Sequence, residues 1–414
     1  MRPEPPQLRP EPVEGRFDKL SAQLVTLVAV SAADQGPVWL NPVEPSQVAA
    51  SLSESLQGGP PLAPLPSDAI ARTRAISMLQ PAQPVIEADA AAVVSTSGST
   101  GTPKGVVLSR AAIRASVQGS HAWLGAPGDW ALALPPYYIA GLMVIARASL
   151  AGTRAMPTRP DLSDLVDVAS TMSKRRYISL VPTQLTRALR DKELTEALRD
   201  FSAVLVGGGP AQPELVSQAA ASGIGVVTTY GMTETCGGCT YDGQPLPGVD
   251  VKLATDGRIL IKSSSLFNGY RLRPDLTAEA LTDGWFSTHD LGRWDAGRLV
   301  VLGRMDDIVI TGGHKVDLVD VEQPVQQWAA RRGAHGAVVA VPDAVWGNTI
   351  VAVSDAPGSL ADLQSAVREA LPAYAVPREL IHVDQLPWLV NGKPDRVAIK
   401  SMIMRVRDAR RVRA

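Results

Sequence analysis

The sequence predicts an α/β protein with a large N-terminal domain of mainly parallel sheets plus a barrel-like subdomain, followed by a small α+β domain. Three observations predict it. Short apolar runs at 91–94, 131–134, 178–181, 203–206 and 225–229 alternate with helical stretches at 109–120, 161–174, 183–199 and 211–222. Strands alternating with helices give a parallel sheet, with ligands at the C-terminal ends of the strands. After about residue 240 the runs crowd together, at 249–254, 258–261, 298–302 and 308–310, as short antiparallel strands do. From Asp306 onward, strands near 336–341 and 349–353, a helix over 359–370 and a strand near 379–383 make a compact unit.

The N-terminal end comes first in order. Residues 1–16 repeat Arg-Pro-Glu-Pro at 2–5 and 9–12 and read as a disordered extension. The core that follows must be large and divided among more than one domain, because the chain has 414 residues. The expected boundaries are 17–305 for the N-terminal domain, 306–400 for the C-terminal domain and 401–414 for a basic tail. That tail carries Arg405, Arg407, Arg410, Arg411 and Arg413, and reads as a solvated helix end or a disordered segment.

Composition excludes several classes. A formal net charge of -1 gives no general attraction for nucleic acid or anionic membrane. With 5% aromatic residues, a base-stacking surface is not expected. The apolar run 24–30 is too short, and too close to Asp18, for a signal peptide. The uncharged run 130–146 is interrupted by Pro135-Pro136, so it reads as strand, turn and helix rather than a membrane span. A cytoplasmic protein is expected. Cys236 and Cys239 are the two cysteines, and without a second pair they read as small residues in a Gly-rich loop rather than a zinc site.

The chemistry-bearing segment is Ser95-Thr-Ser-Gly-Ser-Thr-Gly-Thr-Pro-Lys-Gly105, directly after the first buried run. Hydroxyls, glycine backbone and one ammonium, Lys104, suit a loop that wraps polyphosphate oxygens. No Lys-Ser or Lys-Thr follows at Walker spacing, and a plain linker is the bland alternative. Five further segments follow in order: Gly207-Gly-Gly-Pro210, Tyr230-Gly-Met-Thr-Glu-Thr235, Ser287-Thr-His-Asp-Leu-Gly292, Gly303-Arg-Met-Asp-Asp-Ile-Val-Ile-Thr-Gly-Gly313 and Asn391-Gly-Lys-Pro-Asp395.

Together these segments resemble the adenylate-forming superfamily of acyl- and aryl-CoA ligases, luciferases and peptide-synthetase adenylation domains, over roughly residues 91–400. The resemblance implies an ATP site built from Ser97, Gly98, Ser99, Thr100, Gly101, Thr102 and Lys104, with Gly208, Gly209 and Pro210 at the adenine. Tyr230 would stack on the base, beside Gly231, and Thr233 would bond the α-phosphate. Glu234 would help hold Mg²⁺, a hard cation suited to carboxylate and phosphate oxygen. Asp290 would accept the ribose hydroxyls, with Arg304 adding a donor. Outside this context Tyr230 is a core tyrosine, and Asp290 or Arg304 half of a surface ion pair.

The resemblance also implies a mobile C-terminal domain. Asp306 matches the hinge, and Gly312 and Gly313 match the loop that meets coenzyme A, although a tight turn needs the same two glycines. Lys393 matches the adenylation lysine, whose ammonium neutralises charge at the carboxylate and α-phosphate. Catalysis would then fall to Lys393, Thr233, Glu234 and Lys104, with ATP, Mg²⁺ and coenzyme A as cofactor and co-substrates. No covalent enzyme intermediate is needed, and a homodimer is a common assembly for such enzymes.

For the acid, Tyr230 to Cys236, Tyr241-Asp-Gly-Gln-Pro-Leu246 and Leu134-Pro-Pro-Tyr-Tyr-Ile-Ala-Gly-Leu142 look most like the o-succinylbenzoate–CoA ligases of menaquinone biosynthesis. The implied acyl wall comprises Tyr138, Ile139, Gly141, Gly207 and Thr235. Tyr137 stands where that group often has His, and Asp320-Val-Glu322 where Glu-Val-Glu is more usual. Alternatives are another aryl- or fatty-acyl-CoA ligase, a carrier-loading adenylation domain, and a nucleotide-binding homologue without turnover.

Overall fold

The architecture is that of a computed structural model describing residues 38–87, 89–96, 104–343, 345–388 and 394–411, the side chains at 306, 406 and 408–411 excepted. The expected extension at 1–16 lies outside the described residues, as do 97–103 and 391–393.

Three sheets build the larger part. A seven-stranded sheet runs in the order Gln244–Pro245, Gly237–Tyr241, Val226–Met232, Ala203–Val206, Arg176–Leu180, Asp129–Leu132 and Ala155–Pro157. Its strands from Val226–Met232 to Ala155–Pro157 are parallel, and Gly237–Tyr241 turns back antiparallel. A five-stranded mixed sheet runs Gly269–Tyr270, Lys104–Ser109, Ala90–Thr96, Leu62–Pro64 and Asn41–Val43. Here the first buried run does not lead into a helix: Ala90–Thr96 and Lys104–Ser109 form an antiparallel hairpin closed by the pair Thr96 and Lys104. The third sheet is antiparallel, with Val249–Leu253, Arg258–Ser263, Trp285–Asp295, Leu281–Thr282 and Arg298–Arg304. The sheets are therefore more mixed than strand and helix alternation alone suggests.

The helix Ile139–Ala151 sits between the two larger sheets. Leu142, Met143, Ile145 and Ala146 join a core with Val94, Val106 and Ile113, while Val144 and Ala148 join Trp130, Tyr177 and Tyr241. A helix buried all round must be apolar all round, which explains the uncharged run 130–146. Arg147 is its one charge. It is buried, with Nε donating to Ser120 Oγ at 3.0 Å and the guanidinium 4.9 Å over Trp130. Among the described residues no helix is long and apolar enough to cross a membrane.

The smaller part carries a second mixed sheet, in the order His314–Asp317, Ile308–Thr311, Gly347–Ser354 and Gly336–Asp343, with Glu379–His382 parallel to Gly347–Ser354. The run at 308–310, expected with the crowded strands before it, pairs in this sheet instead. One face is covered by the helices Leu318–Ala330 and Leu360–Arg368, the other by Arg396–Arg411 through Ile399 and Ile403. The helix Leu318–Ala330 is not among the expected elements because Pro324 sits inside it, a residue that normally breaks helices. It starts at Asp317, whose carboxylate accepts from Val319 N–H at 2.8 Å. The basic stretch after 400 continues the helix Arg396–Arg411, with Arg407 paired to Glu379, so through Arg411 it is a docked helix and not a free tail.

Candidate active site

The residues expected at the nucleoside come together where two sheets meet. Val226–Met232 carries Tyr230 and Gly231, and the antiparallel strands Trp285–Asp295 and Arg298–Arg304 place Asp290 directly opposite Arg304. Tyr230 donates its hydroxyl to Asp290 Oδ2 at 2.8 Å, and Arg304 Nη1 lies 3.3 Å from Asp290 Oδ1. Asp290 is buried, so this is not the solvated surface pair of the bland reading. Burial, and then the Asp290 charge, hold the Tyr230 phenol far above its ordinary range, so it remains a donor. Gly207, Gly208, Gly209 and Pro210 follow the neighbouring strand Ala203–Val206, with Gly207 N–H donating to Leu180 O at 3.1 Å.

The residues expected at the phosphates, Glu234 and Lys104, cluster around one aromatic ring. Thr233 and Glu234 occupy a single 3-10 turn, Thr233–Thr235, joining Val226–Met232 to Gly237–Tyr241. Thr233 is buried. Glu234 Oε1 accepts from the Tyr270 hydroxyl at 2.9 Å, and Lys104 Nζ lies 4.8 Å from the Tyr270 ring centre. Burial pushes the Glu234 carboxyl above the usual carboxylate range, against the Tyr270 hydrogen bond and the Lys104 charge. Ser97, Gly98, Ser99, Thr100, Gly101 and Thr102 lie outside the described residues, but the Thr96 and Lys104 pair fixes where that loop leaves and returns.

The residues expected to line the acid lie at the start of the buried helix. Tyr138 caps its N-terminal end and Tyr137 is buried, the two rings 4.7 Å apart. Burial raises the Tyr138 phenol to about 12. A Cβ on Gly141 would collide with the Pro135 carbonyl oxygen, so this glycine lets the helix start tight against Leu134-Pro135. Ile139 packs on the core that contains Met143 and Cys236. Thr235 is fully buried, its hydroxyl accepting from Met232 N–H at 2.9 Å and lying 2.6 Å from Gly237 O. It shapes the turn Thr233–Thr235. Cys236 and Cys239 are free, buried in different cores, and burial raises Cys239 to about 12. Among the described residues no group of three or more His, Cys, Asp and Glu is gathered for a metal.

The interdomain segment shows groups that motif reading missed. Asp306 lies in the short turn Met305–Asp307. Its neighbour Asp307 pairs with Arg396, which also reaches Glu322 Oε2 at 2.6 Å. Arg396 follows the loop carrying Lys393, a residue outside the described set; on either side of that loop Trp388 bridges Pro394, and Asp395 N–H donates to Pro387 O at 2.9 Å. Arg396 stands one residue beyond a recognised segment and Tyr270 lies well away from any, so only their partners across the fold reveal their use. Gly312 and Gly313 form a two-residue turn between Ile308–Thr311 and His314–Asp317, at φ +55° and +81°. Positive φ at both positions suits glycine, and a Cβ on Gly312 would also lie 2.8 Å from the Trp346 ring.

Comparison with known proteins agrees with this geometry. Residues 5–271 match the AMP-binding enzyme family and residues 329–393 match the AMP-binding enzyme C-terminal domain. The probable 2-succinylbenzoate–CoA ligase of Mycobacterium tuberculosis is 44% identical over 336 residues, 76% of this chain and 85% of that protein. The o-succinylbenzoate CoA synthetase of Bacillus subtilis, solved with the acyl-adenylate intermediate OSB-AMP, matches with a TM-score of 0.68 at 26% identity, over 85% of this chain and 80% of that one. The same enzyme in complex with ATP and magnesium ion gives a TM-score of 0.66 at 25% identity, over 86% and 82%. By sequence and by fold, the chain belongs to the AMP-binding family of adenylate-forming enzymes.

Proposed function

We propose that this chain converts o-succinylbenzoate to its coenzyme A thioester in two AMP-forming half-reactions. The observation that carries the reading is the joint presence of a cluster of Tyr230 and Arg304 on the buried Asp290, suited to a nucleoside, and of Lys104 and Glu234 about Tyr270, suited to phosphates, in a chain 44% identical to a named ligase for that acid.

In the first half-reaction a substrate carboxylate oxygen attacks the α-phosphorus of ATP. The new P–O bond forms as the bond to the leaving pyrophosphate breaks, giving acyl-AMP. Lys104, Thr233 and Lys393 complement the charge that builds on the phosphoryl oxygens, so placement and neutralisation do the catalysis. Glu234 suits Mg²⁺: a hard carboxylate donor, half-buried, within reach of the same Tyr270 as Lys104. When bound, the ion supplies charge neutralisation at the phosphates. In the second half-reaction the smaller domain turns about Asp306, withdrawing Lys393 and presenting Gly312 and Gly313. The coenzyme A thiol attacks the acyl carbon, AMP departs, and the thiol proton passes to solvent. The reading carries with it a cytoplasmic location and a homodimer, the latter checked by light scattering.

The test is pyrophosphate release with Mg-ATP and o-succinylbenzoate, benzoate or a medium-chain fatty acid, with and without coenzyme A. Selective turnover of o-succinylbenzoate to its thioester is the expected result. Preference for another acid would keep the mechanism and discard the substrate; nucleotide binding without pyrophosphate release would discard both.

A further inference from the structure

We infer that Tyr270 is a positioning residue for the phosphate end of this site, holding the Glu234 carboxylate by its hydroxyl and the Lys104 ammonium by its ring. The inference rests on the AMP-forming reading above.

Tyr270 lies on the short strand Gly269–Tyr270, paired antiparallel to Lys104–Ser109, the strand that begins with Lys104 itself. Its ring is buried and packs 4.8 Å from Phe267, and its N–H donates to Thr277 Oγ1 at 2.8 Å, so neither ring nor backbone is free to wander. Phe267, three residues earlier, donates its N–H to the Glu234 carbonyl at 2.9 Å. Strand 269–270 and its approach thus grip Glu234 twice, once at the main chain and once at Oε1.

A buried tyrosine needs some partner for its hydroxyl. This one takes a carboxylate in the adenylation turn and carries a cation on the same ring, 4.8 Å from its centre. Hydrogen bonds to an ionised partner are the stronger kind. The bond fixes Oε1 and leaves Oε2 outside it, so the carboxylate has one orientation to offer a cation. Without the hydroxyl, Glu234 loses that orientation toward a cation, while the ring still supports Lys104.

The experiment compares Tyr270→Phe, which keeps the ring, with Tyr270→Leu, which removes ring and hydroxyl. Mn²⁺ is titrated into each protein with α,β-methylene ATP, following the free-ion electron paramagnetic resonance signal. Affinity for the same analogue is measured separately in EDTA, and the thermal midpoint is recorded. Tyr270→Phe is expected to bind Mn²⁺ about tenfold more weakly, the loss of one hydrogen bond to a charged group. Its affinity for the analogue in EDTA and its midpoint should stay as in the wild type. Tyr270→Leu should weaken the EDTA affinity as well, because Lys104 loses its support. Wild-type Mn²⁺ affinity in Tyr270→Phe, or an equal loss with and without metal accompanied by a lower midpoint, would overturn the assignment and leave Tyr270 a core residue. If the wild type itself binds neither Mn²⁺ nor the analogue, the AMP-forming reading falls, a result distinct from failure of the Tyr270 assignment alone.

Discussion

Arg396 is the residue whose loss should be felt farthest from its own position. It joins Asp307, beside the proposed hinge at Asp306, to Glu322 in the helix Leu318–Ala330, while sitting at the start of the final helix. Burial works against its charge, but Glu322 and Asp307 overcome that and hold its pKa above the ordinary value. The Glu322 side chain is 11% exposed and the Asp307 side chain 17%, so Arg396→Met strands two carboxylates largely out of water. Removing one partner of a buried pair costs roughly 3–5 kcal/mol. The residual exposure of both acids favours the low end, about 3 kcal/mol. Hydrogen exchange read by mass spectrometry on Leu318–Ala330 and Gly336–Asp343 reports that loss locally, as protection falling by about a hundredfold. Adding Glu322→Gln to Arg396→Met should restore about half of it, since one stranded charge is gone. Protection reduced less than about fivefold in Arg396→Met, or strict additivity in the double variant, would refute the claim that these three residues form one charged unit.

Other perturbations test other parts. Lys393→Ala should abolish most pyrophosphate release while sparing thioester formation from supplied acyl-AMP; equal loss in both steps, measured separately, would count against domain rotation. Gly141→Ala drives a methyl into the Pro135 carbonyl and should destabilise the larger domain by about 1–3 kcal/mol in urea unfolding, an unchanged midpoint excluding the close approach as the reason for glycine. Asp129, buried at the start of its strand, is pulled down to about 2: burial raises it, but Arg154 and the N–H groups of Ser173 and Arg154 prevail. Its lowered pKa contributes about 2 kcal/mol above the unfolded carboxylate range and loses it as pH falls toward 2. The stability gap between wild type and Asp129→Asn should therefore shrink to about half by about pH 3, and a gap that does not depend on pH would remove the charge from the explanation.

Much of the site was legible because its residues cluster in contiguous segments of unusual chemistry. A glutamate amid Gly, Met and Thr, or a lysine after a run of hydroxyls and glycines, is conspicuous before any fold is known. Tyr270 and Arg396 were not legible, because each acts through partners far along the chain, Glu234 at 36 residues and Glu322 at 74. The same holds for Arg147, whose meeting with Ser120 and Tyr241 depends on how three elements pack. In the fold, the parallel strands Asp129–Leu132, Arg176–Leu180, Ala203–Val206 and Val226–Met232 announced themselves by apolar runs, while the short Ala155–Pro157 did not. The hairpin across 97–103 did not, since its two strands look like any other pair and only their register makes them partners. The helix Leu318–Ala330 was hidden by Pro324, a local signal that tertiary packing overrides.

The helix between the two sheets bears on how this enzyme could acquire a taste for a different acid. Its two apolar sides are mortared into separate cores, so the backbone at Tyr138, Ile139 and Gly141 has no slack in which to shift. On the proposed reading of this tip as the wall against the acid, a change of substrate would come by exchanging its half-buried side chains, one at a time. Larger acids would be admitted by trimming Tyr138 or Ile139, not by opening the pocket. The rigidity that fixes the wall thus narrows the route by which selection can redraw it, and makes the few residues at that tip the natural record of which acid a given lineage has been using.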